Sequence, residues 1–472
     1  MASSQRNALT LTGRIATGLI AGGLTAGVIY VLGVVSVPTV ERGVVSTQVD
    51  TAAATQSELA CSGSFVEIGA DPANPIGVVD VGEAVLALQS PDGALAPEAL
   101  SRSTTTASEA AAPRAMSLSG DAKTTAAAAQ AQAAAQERLR GFSASSCGQP
   151  LAESWLVAGS TVSGLTSLVL LTNPGEVAAN VSLQVYSENG LVETPGSTGI
   201  VVEPRSQRII SLNGLAPSAN ATIVHMQARG GKVFAALQQS QVQGLNAVGV
   251  DTAVAVSAPS TQLVIPGVRV VHPDGVSSID EHGHDEAVQI LRVMSLADSD
   301  STVTVTAHGE KGATTKLGTF DMKPELVNEF ELEPLPQGTY TITVDSETPI
   351  LGAMRVFTIG SKSSDFAWFG ASDLFDEQAA LAVARGPKPQ ITLYNPGAKT
   401  ATVELTLDAN TRSVTVPAGA SITVGAEAGK GYSLDSDQLI GASVSYGDDG
   451  QLSGYSLQSP AVRAEPLTVY TR

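Results

Sequence analysis

The densest run of groups able to do chemistry is Asp280-Glu281-His282-Gly283-His284-Asp285-Glu286, four carboxylates and two imidazoles within seven residues. Carboxylate oxygens from Asp280, Asp285 and Glu286 suit calcium, whereas His282 and His284 suit a transition metal, so the mixture selects neither ion cleanly. A solvated acidic loop ahead of a core strand is the plainer reading, and any metal at these residues stays unknown. The other histidines, His225, His272 and His308, form no H-E-x-x-H helix. His225 and His308 lie in runs of strand character, where surface or half-buried roles are expected.

Nucleophilic catalysis has little to start from. Gly159-Ser160-Thr161-Val162-Ser163-Gly164 carries its serines at the wrong spacing for a G-x-S-x-G elbow. Neither a G-x-x-x-x-G-K-[ST] loop nor a strand followed by G-x-G-x-x-G occurs, so nucleotide chemistry is disfavoured and no cofactor is expected. The remaining acidic clusters, Asp298-Ser299-Asp300, Asp435-Ser436-Asp437 and Asp448-Asp449-Gly450, are turn chemistry, in which Asp bonds its own backbone and Gly accepts positive φ. Calcium between modules lacks the positional motif that would identify it. No catalytic residue is assigned and the chain is expected not to be an enzyme; a metal-dependent hydrolase centred on Asp280–Glu286 is the least favoured reading.

The elements that hold these residues begin with an anchor. Residues 15–37 run about 23 positions without a charge, enough for a helix across a bilayer of ~30 Å. Arg6 and Arg14 precede this run with no acidic residue, so the positive-inside bias keeps residues 1–14 in the cytoplasm and sends the bulk of the chain outside the cell membrane. A cleaved signal peptide is the competing reading, but Val35-Ser36-Val37-Pro38-Thr39 is a poor cleavage site. Gly18, Gly22, Gly23 and Gly27 give two G-x-x-x-G spacings, a helix-pairing face or simply the glycine common in such anchors. The net charge of −19 excludes nucleic acid as a partner, since phosphates need Lys and Arg. Cys61 and Cys147 are the only two cysteines, and in an exported chain they are expected to form one disulfide.

Beyond the anchor, residues 38–60 read as a juxtamembrane stalk and 61–150 as a disulfide-closed, largely low-complexity segment. Within it, Ser90–Arg140 is rich in Ala, Ser, Thr and Gln, which predicts a mobile insert with a helical stretch over Thr125–Leu139. From Leu151 the pattern becomes alternating β-branched runs between Gly, Pro, Asn and Asp turns, and three stretches overlay. Leu168-Val169-Leu170-Leu171-Thr172-Asn173-Pro174-Gly175 matches Ile391-Thr392-Leu393-Tyr394-Asn395-Pro396-Gly397, with Ile290–Leu296 and Ala297-Asp298-Ser299-Asp300 as a looser middle copy. Each copy continues through a Pro-containing step to a later strand at Val233, Ile350 or Leu439. The fold class expected is all-β: tandem immunoglobulin-like β-sandwich modules over 151–258, 259–362 and 363–472, behind one N-terminal transmembrane helix. Trp155 and Trp368 are read as equivalent lead-in positions whose rings plug a sandwich end, with sugar stacking as the alternative.

Cys147-Gly148-Gln149-Pro150 leading to Trp155, followed by Leu170–Gly175 and the Val202-Glu203-Pro204 step, resembles an actinobacterial family of membrane-anchored extracytoplasmic proteins of unknown function, over roughly residues 61–470. The resemblance implies a cell-envelope location and carries no site residues. It also implies a gene that sits beside that of a large membrane glycosyltransferase, an association with envelope polysaccharide assembly and not a mechanism. The expected function is accordingly non-enzymatic: a structural or binding protein presenting its sandwiches to an envelope protein or wall glycan. The alternative is an accessory subunit of a glycosyltransferase in envelope polysaccharide assembly.

Overall fold

Three stretches of alternating sequence become three copies of one strand order. In the first, one layer contains Glu153–Val157, Thr222–Arg229, Ala179–Ser187 and Gly190–Val192, with Ile200–Val202 also on Ala179–Ser187. The other contains Asn246–Val254, Phe234–Gln243, Leu165–Asn173 and Ser206–Ser211. The third copy repeats this with Gln378–Val383, Lys430–Ser436, Ala401–Leu407 and Asn410–Val416 in one layer and Gln451–Ser456, Ile440–Asp448, Gln390–Tyr394 and Ser421–Gly425 in the other. Period-2 burial explains the layers: along Ala179–Ser187, Val181, Leu183 and Val185 point into the core while Asn180, Ser182, Gln184 and Tyr186 point away.

The middle copy has the same order in one continuous sheet. Gly338–Ile359, 22 residues long, pairs through its first half with Ser260–Val270 and Ser301–His308, and through its second half with Gln289–Ser295 and Ser364–Gly370. The first copy breaks the equivalent chain at Gly230-Gly231, where Gly230 sits at φ 86°, whereas the middle copy has Ser346-Glu347-Thr348-Pro349 and no glycine to turn it. The strand therefore passes from one layer to the next.

The computed structural model describes residues 46–49, 56–69, 77–90, 95–103, 108–119, 126–271, 289–361, 363–458 and 467–470. The expected membrane helix at 15–37 lies outside them; among the described residues, no helix is long and apolar enough to cross a membrane. Strands make up 64% of the structure, with one short helix, Leu212–Leu215, so the all-β expectation holds. Contact grouping gives two units. One contains Ser46–Val49 paired antiparallel with Leu467–Tyr470, and the other spans Ala53–Arg463.

Two readings of the sequence are corrected. Ser364–Gly370, taken as the lead-in of the third module, is the closing strand of the second: it makes a hairpin with Gly338–Ile359 through a turn closed by Gly360 N–H donating to Ser363 O at 2.8 Å. Trp368 therefore closes the second repeat, and it packs into the core that includes Leu156, Val224 and Leu237 of the first. The third repeat begins with Gln378–Val383. The second correction concerns the Ala-rich segment, where Ala127–Ala135 is a strand between Val85–Gln89 and Arg140–Cys147.

Side-chain geometry explains that strand. Gln130 and Gln132, two positions apart, share a face only in an extended chain. Gln130 Oε1 accepts Gly63 N–H at 3.1 Å and its Nε2 donates to Ser62 Oγ at 2.9 Å, while Gln132 Oε1 accepts Phe65 N–H at 2.9 Å. Ala129 and Ala131, on the opposite face, are small enough to lie against Phe142 and the core of the third repeat. From the first repeat, Gln238 clamps the same extended segment, accepting Val66 N–H at 2.9 Å and donating to Val66 O at 2.7 Å. Glutamine amides thus substitute for a missing ladder partner. Within the stretch read as stalk, Gln56–Cys61 is a strand on Arg114–Ser119, and Cys61 and Cys147 are joined by the expected disulfide.

Candidate functional site

Asn173 and Asn395, in the two matching Asn-Pro-Gly motifs, do the same work. Asn173 Nδ2 donates to Val177 O (2.8 Å) and Val202 O (3.0 Å) while its Oδ1 accepts Gly175 N–H (3.0 Å). Asn395 repeats this with Lys399 O, Val416 O and Gly397 N–H at 2.7, 2.9 and 2.9 Å. In the middle copy, buried Ser295 accepts Ala297 N–H at 3.2 Å. These motifs are structural turns, so the chemistry must be sought elsewhere.

The most unusual polar constellation is internal. The three closing strands, Asn246–Val254, Ser364–Gly370 and Gln451–Ser456, converge, and Arg140–Cys147 lies among them. Asp365, 0% exposed, accepts four backbone N–H groups: Phe142 at 2.8 Å and Leu452 at 3.4 Å on Oδ2, Phe366 at 3.0 Å and Val250 at 3.3 Å on Oδ1. One comes from the N-terminal segment and one from each repeat. Asp251, 1% exposed, accepts Trp368 N–H at 2.7 Å on Oδ2, and Ser143 Oγ–H at 2.8 Å on Oδ1. Ser453 Oγ accepts Ala144 N–H at 2.8 Å and lies 3.2 Å from Ala144 O and 3.3 Å from Asp251 Oδ1.

The backbone must come very close to make these bonds. Gly141 has φ 142°, and a Cβ there would fall 2.5 Å from Asp365 Oδ1 and 2.7 Å from Val250 N. A Cβ at Gly249 would fall 2.5 Å from the Phe366 ring. Both positions need glycine for space, and Gly141 also for its backbone conformation.

Among the described residues, no Lys, Arg or His forms an ion pair with either carboxylate. Burial therefore pushes Asp251 up to about 7 against the hydrogen bonds that favour its anion. It also raises Asp365 well above the ordinary carboxylate range, with the Phe142, Leu452 and Phe366 amides opposing and the Asp251 charge adding to the rise. Beside the pair, the buried Arg292 guanidinium lies 4.4 Å from the Trp368 ring centroid. Its Nη1 donates to Gly159 O at 2.6 Å and Thr222 O at 2.9 Å, and its Nη2 to Glu329 Oε1 at 2.7 Å. Trp368 Nε1 donates to Gln239 Oε1 at 2.8 Å. The arrangement holds strands together and keeps water out; both carboxylates are closed to a substrate.

The sequence-predicted ligands Asp280, His282, His284, Asp285 and Glu286 lie outside the described residues, as does Gly18–Gly27. Among the described residues, no three His, Cys, Asp or Glu side chains gather as a metal site requires. His225 stacks on Trp155 at 3.9 Å, with Gln184 Oε1 at 2.9 Å from Nδ1 and Glu153 Oε1 at 2.6 Å from Nε2. Trp155 itself is 8% exposed, in the core position expected. Asp251 and Asp365 escaped the sequence reading because each is a single acid in a strand. The available signal was that Gly249-Val250-Asp251 and Ser364-Asp365-Phe366 place a carboxylate amid apolar residues of a buried strand.

Comparison with solved structures returns Thermotoga maritima 1070, 14% identical, over 24% of this chain and 93% of that chain at TM-score 0.20. It also returns two structures of the major pilin from Streptococcus pyogenes, 10% and 8% identical, each over 62% of this chain and 99% of that chain at TM-score 0.13. No curated protein matches the chain. The description attached to the matching family model is "family of unknown function", and its match runs over residues 101–388, through strand Arg140–Cys147, the closing strands of the first two repeats and both buried carboxylates. By that match, the chain belongs to the family of unknown function DUF5719.

Proposed function

We propose that this chain is a non-catalytic platform of the cell envelope, anchored by residues 15–37 with its bulk outside the cytoplasm, presenting three immunoglobulin-like sandwiches to an envelope protein or wall glycan. The observation that carries the reading is the junction at Asp365, where one carboxylate ties the three repeats and the N-terminal segment together. Such a junction fixes the outward loops in relation to one another, as a presenting surface requires. The disulfide suits an oxidising compartment, and the acidic surface suits solubility among anionic polymers. The resemblance noted above supports an actinobacterial, membrane-anchored setting.

A second reading, an accessory subunit of a membrane glycosyltransferase, rests on the two G-x-x-x-G spacings of Gly18–Gly22 and Gly23–Gly27. Whole-cell crosslinking through a C-terminal tag, followed by identification of what co-purifies, tests both. Wall material or one envelope protein captured equally by wild type and Gly22→Leu supports the platform. A membrane enzyme captured only by the wild type supports the subunit, and capture of neither, or a turnover-dependent product, sinks both.

A further inference from the structure

Among the described residues, the junction holds two acids and no base paired with them. Of the elements packed round the pair, Arg140–Cys147 offers Arg140, exposed at its outer end. Gly338–Ile359 brings Arg355, whose Nη2 donates to Gln241 Oε1 at 2.9 Å and whose guanidinium lies 5.1 Å from the Phe366 ring centroid. Gln289–Ser295 brings Arg292, bound to Glu329. Ile440–Asp448 and Gln451–Ser456 bring Tyr446 and Tyr455, whose hydroxyls lie 3.1 Å apart and which burial keeps neutral. None of these cations forms an ion pair with Asp251 or Asp365, so, among the described residues, two ionised carboxylates would meet in a buried interior with hydrogen bonds but no counter-charge.

The two acids differ in what their neighbours allow. All four partners of Asp365 are backbone N–H groups, which cannot accept a proton and so oppose the rise that burial imposes on it. At Asp251 the partners include two hydroxyls, which can turn. Ser453 can give its proton to Ala144 O, 3.2 Å away, and offer a lone pair to a protonated Asp251 3.3 Å away. The site therefore contains hydrogen-bond arrangements for both forms of Asp251.

We propose that the Asp251–Asp365 pair makes the three-repeat junction a proton-dependent lock, closed while Asp251 holds a proton and loosened when both carboxylates are ionised within it. Folding raises Asp251 to about 7, above an unfolded aspartate near 4. Its contribution is complete below about pH 4 and is lost as the pH climbs through about 7. Asp251→Asn imitates the protonated form, with its amide oxygen toward Trp368 N–H and its NH2 toward the serines, and it cannot ionise.

The test follows thermal unfolding and amide exchange of the full chain from about pH 5 to about pH 8, with infrared spectra of the same samples. In the wild type the unfolding midpoint is expected to fall by about 5 °C across that range. Exchange should quicken in Asn246–Val254, Ser364–Gly370 and Gln451–Ser456, and a carboxylic-acid C=O band should disappear near neutrality. Asp251→Asn should lose the part of the slope and of the band that titrates near neutrality, and Ser453→Ala, lacking the turning acceptor, should move the transition to lower pH. A wild type without a titrating acid band overturns the proposal whatever the variants do. So does an Asp251→Asn protein that keeps the wild-type slope.

Discussion

Asp365 accepts four N–H groups and is fully buried, so replacing one of its oxygens with an NH2 places donor against donor. Asp365→Asn is therefore expected to cost roughly 3 kcal/mol or more, although the side chains are nearly the same size. Chemical denaturation at fixed pH measures it, and a loss below about 1 kcal/mol would show that the four bonds do not discriminate. Arg292 presents the opposite case, a buried cation whose partners are Gly159 O, Thr222 O and Glu329. Arg292→Met would take the guanidinium from Thr222 O and the Glu329 carboxylate and leave Gly159 O only the Thr222 N–H, at about 3 kcal/mol. The same denaturation series checks it, and a change below about 1 kcal/mol would mean that these partners find others. Residues of this sort are hard to read from a sequence, because an acid or base in a strand gives no local sign that it faces an interior. Cys61 and Cys147 were readable because two cysteines allow a single intramolecular pair. The acidic run Asp280–Glu286, the most conspicuous feature in the sequence, lies outside the described residues.

At the scale of elements, hydrophobic alternation and turn residues marked the strands of an all-β, repeat-like fold, since both are local signals. Val181, Leu183 and Val185 alternate as a half-buried strand must. The Ala-rich strand and the Trp368 strand were misread for reasons that are not local. Alanine's helix preference is worth only tenths of a kcal/mol per residue, less than the bonds that Gln130 and Gln132 make when the chain is extended. Trp368 was matched to Trp155 by residue type, while its partner strand is decided by the hairpin at Gly360–Ser363. Gln132→Leu leaves Phe65 N–H without its acceptor and should cost about 1–3 kcal/mol. Exchange at Phe65 should rise with it; an unchanged rate would mean that another acceptor takes over.

For the molecule from Ala53 to Arg463, the convergence of all three closing strands on one pair of carboxylates argues against independent beads. Calorimetry of the oxidised protein is expected to give one transition, and Asp365→Asn should weaken all three repeats together. Three separated transitions would show that the junction does not couple them. The disulfide has a consequence for tension. A pull entering the chain before Cys61 and leaving after Cys147 crosses the sulfur–sulfur bond, whose sequence separation is 86, and bypasses everything between. Residues 62–146, including the Gly141–Ala144 run set among the repeats, lie off the covalent path of that pull while the bond is intact. Stretching one molecule with and without reductant should therefore differ by about 300 Å of released contour length, at ~3.6 Å for each bypassed residue. The most intimate part of the junction is thus the part that the bond takes out of the covalent line of force.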